Sequence, residues 1–261
     1  MAKARYKRIL LKLSGESFCR PGGGGIDGEV LARIAERISE ICKLGPDVAV
    51  VVGAGNFLRG KNFSRTTGIP RNTADYMGML ATIINACALQ EMLEKRGQET
   101  RVLSAIEVAA MCEPFIRRRA LRHLEQGRVV ILAGGTGNPF FTTDTCAALR
   151  ASELEAQLLI KATKVEGVYS EDPERNPDAE LFQRLSYDDV LKKNLRIMDH
   201  AAISLCRENK IAIVVLNIFK EGNITKAVCG EQVGTLICSS GACDKSVRRP
   251  ALPRKSGKSK K

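Results

Sequence analysis

The sequence predicts an α/β protein: a single-domain, three-layer sandwich in which helices cover both faces of a mainly parallel sheet. Apolar runs of strand length alternate with segments whose apolar residues recur at helical spacing, which is the pattern of that architecture. The composition of 44% hydrophobic and 27% charged residues excludes collagen-like and disordered chains. The 261 residues suffice for one large core, and no Pro/Ser-rich linker divides them.

The predicted strands are short apolar runs bounded by glycine or polar turn residues. The run at residues 48–52 is apolar throughout, as expected of a strand buried on both faces of a parallel sheet. The predicted strands span residues 9–13, 48–52, 102–103, 129–133, 158–161, 211–216 and 235–238.

The predicted helices lie between these strands. From residue 30 to residue 41, apolar residues recur every three or four positions with charged residues between them. Gly97 and Gly127 suit the ends of two helices, and Ser186 followed by Asp189 is typical of a helix start. The predicted helices span residues 30–41, 73–96 and 117–126, others begin near 144 and 186, and a long connection covers 166–184.

The net charge of +12 comes from the two ends of the chain. Residues 1–8 carry four basic residues and no acid, residues 245–261 carry eight and no acid, and the 29 basic residues between them equal the 29 acidic ones. The total is therefore no argument for nucleic-acid binding, and an aromatic content of 5% leaves few platforms for stacking bases. We predict a folded domain over residues 1–240 and a basic, disordered tail over 241–261.

The cysteines and the apolar segments bear on the cellular compartment. The nine cysteines contain no C-x-x-C motif, and only His123 and His200 accompany them. A zinc site is therefore not supported, and free thiols in a reducing compartment are predicted. No stretch approaches the roughly 18 apolar residues of a membrane span, and residues 1–8 run into a strand rather than a signal segment. We expect a cytoplasmic protein without a membrane partner.

Three glycine-bearing turns follow predicted strands: Ser14-Gly15, residues 53–56 and residues 134–138. The carboxyl ends of parallel strands share one edge of a sheet, where such turns present backbone N–H groups to anions. Each turn taken alone is also explained by the need of a tight turn for glycine. Three turns together, one beside a lysine and one followed by Thr-Thr-Asp, favour a phosphate-rich ligand.

Two common nucleotide motifs are absent. Residues 53–58 lack the third glycine of the dinucleotide fingerprint, and residues 257–259 imitate the end of a P-loop although Leu252 stands where its first glycine belongs.

Phosphoryl transfer on a different glycine scaffold needs positive charge, donors around phosphate oxygens and a bridging metal. Lys12 is a cation in an apolar strand, unless it lies at an edge and points to water. Asp144 can orient Lys12 or hold Mg²⁺ through water, it can also be a simple helix N-cap, and the two roles are compatible.

At these residues the chain resembles the bacterial UMP kinases, a branch of the amino acid kinase superfamily. The matching motifs are ordered along residues 6–238, and GTGNPFFTTD is the most specific. They are YKRILLKLSGE at residues 6–16, NFLRG at 56–60, MGMLAT at 77–82, GTGNPFFTTD at 135–144, KATKVEG at 161–167, DP at 172–173 and MD at 198–199.

The resemblance implies the amino acid kinase fold and phosphorylation of UMP to UDP by ATP with Mg²⁺, in pyrimidine nucleotide biosynthesis, by a cytoplasmic homohexamer. It implies in-line attack of a UMP phosphate oxygen on the γ-phosphorus of ATP, with Lys12, Arg59 and Asp144 as catalytic residues. The metal has no direct protein ligand in this scheme, and Asp144 reaches it through water. Whether Lys164 and Asp199 contact nucleotide is left open.

The resemblance also assigns two sets of binding residues. The ATP set is Lys12, Leu13, Ser14, Gly15, Gly55, Arg59, Thr163, Tyr169 and Asp172. The UMP set is Ala54, Asp75, Thr136, Gly137, Asn138, Pro139, Phe140, Phe141, Thr142 and Thr143. The chemistry suits these roles, because Asp75 can accept from ribose hydroxyls, Arg59 can bind phosphate oxygens in a fork, and Tyr169 can lie against a purine.

The chain departs from the family pattern at two places. Ala54 stands where the family has glycine, which costs little if its φ is negative and strains the turn if φ is positive. The basic tail extends past the last matching strand. The family also implies GTP as an activator and UTP as an inhibitor, and the activator region corresponds to residues 20–25.

Two other functions remain as alternatives. Another kinase of this fold would act on acetylglutamate, aspartate or carbamate, but the motifs at 77–82 and 135–144 resemble the UMP kinases specifically. A nucleic-acid-binding protein would rely on the basic ends of the chain. Because the charges between these ends balance, this alternative reduces to weak RNA contact by the tail.

Overall fold

The computed structural model describes residues 3–171, 176, 178–195 and 197–239. Within them the chain forms eleven strands and eight α-helices. The predicted tail at 241–261 and the predicted ATP-binding residue Asp172 lie outside the described residues.

The central sheet contains nine strands in the order β4-β3-β5-β2-β1-β6-β10-β11-β9. All neighbours pair in parallel except β10 and β11, so the mainly parallel sheet is confirmed. A separate two-stranded antiparallel sheet joins β7 and β8. The strands are β1 (Arg8–Leu13), β2 (Asp47–Val52), β3 (Thr100–Ser104), β4 (Glu113–Pro114), β5 (Val129–Ala133), β6 (Leu158–Thr163), β7 (Val168–Tyr169), β8 (Leu181–Phe182), β9 (Arg184–Ser186), β10 (Ala212–Asn217) and β11 (Thr235–Cys238).

The helices lie on both sides of the sheet. A 3₁₀ turn, Gly15–Phe18, directly follows β1. The α-helices are α1 (Gly28–Cys42), α2 (Gly60–Thr67), α3 (Arg71–Glu94), α4 (Arg117–Glu125), α5 (Thr143–Glu153), α6 (Tyr187–Lys192), α7 (His200–Glu208) and α8 (Asn223–Cys229).

Alternation along β1 shows how the three layers form. Ile9, Leu11 and Leu13 face one core, which α1, α3 and α8 complete. Leu10 faces the second core, which is completed by α4, α5, α6 and α7. Because successive side chains of a strand point to opposite faces, Lys12 shares the face of Leu10. The three-layer sandwich is confirmed, and a lysine lies on the inner face of its middle strand.

The long apolar strands and the amphipathic helices are predicted correctly, whereas several short elements are missed. Gly97 and Gly127 follow α3 and α4 with positive φ, and Ser186 with Asp189 forms a capping box. Helix α2 buries no residue, so its sequence lacks the apolar stripe from which a helix is predicted. The connection predicted at 166–184 contains β7 and β8, each only two residues long.

The described residues contain no helix long and apolar enough to cross a membrane. Seven cysteines are free thiols: Cys19, Cys42, Cys87, Cys112, Cys146, Cys206 and Cys229. Cys238 is disulfide-bonded, so the expectation of free thiols is wrong at that position.

Candidate active site

The first two glycine turns pack backbone against backbone at the carboxyl edge of the sheet. The N–H of Gly53, at the end of β2, donates to the carbonyl of Leu13, at the end of β1, over 2.9 Å. A Cβ on Gly15 would lie 2.1 Å from the nitrogen of Gly55, a distance that no side chain tolerates. Glycine is therefore required at this contact because the two turns touch.

The third glycine turn follows β5 and lines the same edge. Gly134, Gly135 and Gly137 all have positive φ, a conformation that glycine adopts without steric cost. The N–H of Gly134 donates to the Thr82 hydroxyl of α3 over 2.8 Å. The three turns predicted to share one edge thus lie together.

Ala54 occupies the glycine position of the family pattern without backbone strain. The residues other than glycine that have positive φ among those described are Phe140, Glu155, Asn194 and Lys210, so Ala54 lies outside the left-handed region. The adjacent turn is held by Asn85 of α3, whose side-chain amide donates to the Gly53 carbonyl and to Asn56 Oδ1, each over 2.8 Å. The negative-φ alternative stated above is confirmed.

A continuous groove runs along this edge. Its first part is a cavity of about 400 Å³ lined by the three glycine turns together with Arg71 and Asp75 of α3. Two further cavities, each of about 680 Å³, extend past Lys161 of β6 to Tyr169 of β7. Lys12 and Asp144 line both the first and the second cavity, so they lie at the junction.

Two lysines and one carboxylate meet at that junction. Lys12 of β1 pairs with Lys161 of β6 in the strand register, which places both side chains on one face of the sheet. Asp144, in the first turn of α5, lies 2.7 Å from Lys12 Nζ through Oδ1 and 2.8 Å from Lys161 Nζ through Oδ2. Lys12 is only 6% exposed, so it is not a strand-edge lysine that points to water.

The pKa values of this cluster follow from burial and charge. Burial favours the neutral form of Asp144, but the charges of Lys12 and Lys161 outweigh it and hold its pKa below the usual range. Burial lowers the pKa of Lys161; the Asp144 carboxylate opposes this shift and Lys12 reinforces it. Counted as two ammonium groups and one carboxylate, the three side chains have a formal charge of +1 where they line the groove, which suits a polyanionic ligand.

Helix α5 is capped by Thr142 and not by Asp144. The Thr142 hydroxyl accepts from the N–H groups of Asp144 and Thr145, over 3.1 and 3.2 Å. Asp199, the N-cap of α7, accepts from the hydroxyls of Thr142 and Thr145. The capping alternative for Asp144 is therefore wrong. Asp199 links the N-termini of α5 and α7 through its hydrogen bonds.

Arg59 lies at the N-terminus of α2 and reaches across the groove. Its guanidinium forms an ion pair with Glu16, which lies in the 3₁₀ turn after β1. Both side chains are about half exposed, so this pair adds little stability. Both residues line the first and the second cavity, so Arg59 presents a cation to the groove from an ion pair that adds little stability.

The far end of the first cavity is organised around Asp75. Arg71, one turn earlier on α3, places Nε 2.8 Å from both carboxylate oxygens of Asp75. The N–H of Phe140 donates to Asp75 Oδ2 over 2.8 Å, although Phe140 has a φ of 71°. A loop residue in a strained conformation is thus fastened to α3.

Residues 7–217 match the model of the amino acid kinase family. A curated uridylate kinase of Methylococcus capsulatus (strain ATCC 33009 / NCIMB 11132 / Bath) is 52% identical over 237 residues, which are 91% of this chain and 99% of that protein. The chain belongs to the uridylate kinases of the amino acid kinase family.

Solved structures of UMP kinases superpose on this uridylate kinase. The Bacillus anthracis enzyme is 39% identical with a TM-score of 0.87, and the match covers 90% of this chain and 97% of that one. The Ureaplasma parvum enzyme is 35% identical with a TM-score of 0.83, over 90% of this chain and 100% of that one. The resemblance stated from the motifs and the predicted fold class are confirmed.

Most residues assigned from sequence to the nucleotides of this uridylate kinase line the groove. In the first cavity are Lys12, Ser14, Gly15, Ala54, Gly55, Arg59, Asp75, Thr136, Asn138, Phe141, Thr142, Thr143 and Asp144. Thr163 and Tyr169 line the third. Four assigned residues do not line these cavities: Leu13, Gly137, Pro139 and Phe140. Leu13 is fully buried in the core, Gly137 packs against Ala105, and Phe140 is 68% exposed.

Several charged residues of the groove were missed as site residues, among them Lys161, Glu16 and Arg71. Lys161 lies in the KATKVEG motif and aligns with Lys12 only once the strand register is known. Glu16 lies in the first motif, and its contact with Arg59 spans 43 residues. Arg71 precedes Asp75 by four residues, a spacing that gives a contact on one helix face and was open to sequence reasoning.

The groove suits a magnesium ion carried by nucleotide phosphates. The described residues contain no cluster of three or more His, Cys, Asp or Glu side chains that could hold a metal ion. Mg²⁺ commonly keeps several waters and binds through one or two carboxylates and substrate phosphates. A carboxylate offers about four acceptor sites, and each oxygen of Asp144 has one ammonium group beside it, so Asp144 retains capacity for a metal-bound water.

Proposed function

We propose that this uridylate kinase transfers the γ-phosphoryl group of ATP to UMP, producing ADP and UDP. The observation that carries the proposal is the groove, in which Lys12, Asp144 and Lys161 lie between two binding regions. A cation cluster between two cavities is what transfer between two phosphorylated nucleotides requires. The 52% identity to a curated uridylate kinase supports the choice of acceptor.

The two ends of the groove differ in what they can bind. We assign ATP to the end that contains Thr163 and Tyr169, where a ring is available to lie against the purine. We assign UMP to the end that contains Asp75 and residues 136–143, where a carboxylate and several loop polar groups are available for ribose and base. The phosphates of both then meet near Lys12.

The proposed step is an in-line displacement. An oxygen of the UMP phosphate forms a bond to the γ-phosphorus as the bond from that phosphorus to the β,γ-bridging oxygen breaks, and the electron pair leaves with ADP. The acceptor oxygen is already anionic near neutral pH, so no strong general base is needed. Lys12, Lys161 and Arg59 reduce repulsion between the polyanions, and the N–H groups of Gly15 and Gly55 are available to phosphate oxygens.

Magnesium completes the proposed donor. Bound to ATP, Mg²⁺ would neutralise charge on the phosphates. Asp144 is the residue that would hold it, through water, while the same carboxylate fixes the ammonium groups of Lys12 and Lys161.

The deciding experiment is an ADP-release assay with ATP and Mg²⁺ across the four common nucleoside monophosphates, followed by acetylglutamate, aspartate and carbamate. We expect turnover with UMP and at most a small fraction of it with the other acceptors. Preferential turnover of one of the acids would overturn the proposal in favour of another kinase of the same fold.

We further propose that the protein is a cytoplasmic homohexamer of pyrimidine nucleotide biosynthesis. An apolar stripe on α3 supports self-association: Tyr76, Leu80 and Ile84, at successive four-residue spacings, are each about half exposed. Light scattering should give the mass of six chains. A Leu80→Glu variant should dissociate, because a charge on this stripe would be buried on association.

Regulation by effectors is part of the same proposal. We propose GTP as an activator that acts near residues 20–25, and UTP as an inhibitor. Arg20 there forms ion pairs with Asp27 and Glu29, at 2.6 and 2.9 Å, so an anionic effector would compete with carboxylates for it. A GTP titration at fixed ATP and UMP that leaves the rate unchanged would remove GTP from the proposal.

A further inference from the structure

The carboxylate of Asp75 is held by two protein donors, Arg71 Nε and the Phe140 N–H. Arg71 Nε lies 2.8 Å from each of its oxygens, and the Phe140 N–H donates to Oδ2 over 2.8 Å. The space around it is also filled, because a Cβ on Gly60 would lie 2.2 Å from Asp75 Oδ1. Asp75 therefore links α3, the loop at 136–142 and the start of α2.

The position of Arg71 is unfavourable for the stability of α3. It is the first residue of the helix, where the positive end of the helix dipole repels a cation. The pair also has the basic residue before the acidic one at i and i+4, which is the weaker order. Helix stability is therefore not the reason for an arginine at this position.

Arg71 also contacts the loop that Asp75 fastens. Its guanidinium carbon lies 5.7 Å from the centre of the Phe140 ring, within the range of a cation–π contact. Phe140 has a φ of 71°, which is uncommon for a bulky residue, and its side chain is mostly exposed. Without Arg71, the hydrogen bond from Phe140 to Asp75 is the remaining described contact that holds this conformation.

We propose that Arg71 is a positioning residue of the UMP end of the groove. It fixes the direction of the Asp75 carboxylate and, through Asp75 and the Phe140 ring, the conformation of the loop at 136–142. This inference rests on the proposed function, since it concerns the affinity for the acceptor.

The number of lone pairs on Asp75 limits what it can bind. A carboxylate offers about four acceptor sites. The single N–H of Arg71 Nε is shared between both oxygens and the Phe140 N–H donates to Oδ2, so capacity for a ribose hydroxyl remains while both protein contacts persist. Arg71 sets the direction of the carboxylate, so its loss weakens acceptor binding rather than the transfer step.

The test measures kcat and both KM values for Arg71→Ala and Arg71→Lys. We expect Arg71→Ala to raise KM for UMP about tenfold or more, the effect of losing a charge-assisted hydrogen bond at a binding site. KM for ATP should change less than about twofold, and kcat less than about threefold. Arg71→Lys should lie between, because an ammonium keeps the charge but lacks the planar guanidinium. If Arg71→Ala does not fold, the same three constants of Arg71→Lys decide the test.

The matched control is Arg65→Ala. Arg65 is an exposed arginine in the last turn of α2, and it does not line the groove. Its replacement removes the same charge and should leave all three constants unchanged. An equal rise in KM for UMP and for ATP, or a fall in kcat alone, in the Arg71 variants would overturn the inference.

A second variant tests the path through the loop. Glycine adopts the φ of Phe140 without strain, so Phe140→Gly should make the loop less dependent on Arg71. The rise in KM for UMP caused by Arg71→Ala should then be smaller in the Phe140→Gly background, and an equal rise in both would contradict a role through the loop. Should the unmodified enzyme fail to phosphorylate UMP, the proposed function itself would fail, which is a separate outcome.

Discussion

Replacing Asp144 by asparagine removes the carboxylate that forms ion pairs with both Lys12 and Lys161. The amide has the same shape, so the change in charge is isolated from a change in packing. Lys12, Lys161 and Asp144 have side chains less than one fifth exposed, so water screens them little. The variant leaves two ammonium groups side by side on adjacent strands.

The expected loss follows from these distances. At an effective dielectric constant of about 20, charges 2.7 to 2.8 Å apart attract by about 6 kcal/mol, and desolvation of the ions offsets part of this. Removal of one partner from a buried pair costs about 3–5 kcal/mol. For a chain of this size that is a fall in Tm of about 6–20 °C.

Thermal unfolding and steady-state turnover measure the two consequences. Besides the lower Tm, we expect kcat to fall about 100-fold or more, because Lys12 loses the group that orients it. The control is Glu29→Gln, since Glu29 is also a first-turn carboxylate with an ion pair but is exposed. That change should shift the free energy of unfolding by less than about 0.5 kcal/mol.

A second-site change decides whether charge is the cause. Adding Lys161→Met to Asp144→Asn removes one of the two like charges and should restore a large part of the lost Tm without restoring kcat. A Tm for Asp144→Asn within 2 °C of the parent protein, or no recovery on adding Lys161→Met, would refute the electrostatic account of the junction.

Three further predictions concern the same enzyme. Lys12→Ala should lower turnover by several orders of magnitude while calorimetry still detects UMP binding, and near-normal turnover would contradict its catalytic role. The folded-state pKa of Asp144 lies below the ordinary 3.8. Its ion pairs therefore stabilise the fold above pH 3.8, and this stabilisation is lost as the pH falls through the lowered pKa. The free energy of unfolding of Asp144→Asn should accordingly depend less on pH in that range, as acid unfolding would measure. Deletion of residues 245–261 should leave kcat and both KM values intact and abolish any salt-sensitive retention on RNA, whereas loss of activity would show that the kinase needs the tail.

The long elements and the glycine turns could be predicted from sequence because their signals are local. A continuous apolar run gives β2, and a glycine after a strand marks a turn whichever residues it touches. The motif match extended this to Lys12, Asp144 and Asp75, which all line the groove. Lys12 and Asp144 lie inside matched motifs and Asp75 lies two residues before one, so the motif match located them without knowledge of the strand order.

The contacts that organise the site could not be predicted in the same way. Lys161 neighbours Lys12 because β6 pairs with β1 in one particular register, and the two residues are far apart in sequence. Glu16 meets Arg59 only after two glycine turns pack together. Asp199 caps α7, but its links to Thr142 and Thr145 depend on how α7 packs against α5. Local patterns contain no information on such pairings.

The alignment of Lys12 with Lys161 also bears on how the sheet assembles. A slip of one residue between β1 and β6 would turn one lysine to the opposite face, into the apolar layer formed by α1, α3 and α8. There it would be a buried cation without Asp144, a costly arrangement. The two residues that we propose to serve phosphoryl transfer thus also penalise misfolded pairings of the two central strands, so under this proposal selection for catalysis and selection for correct folding act on the same two side chains.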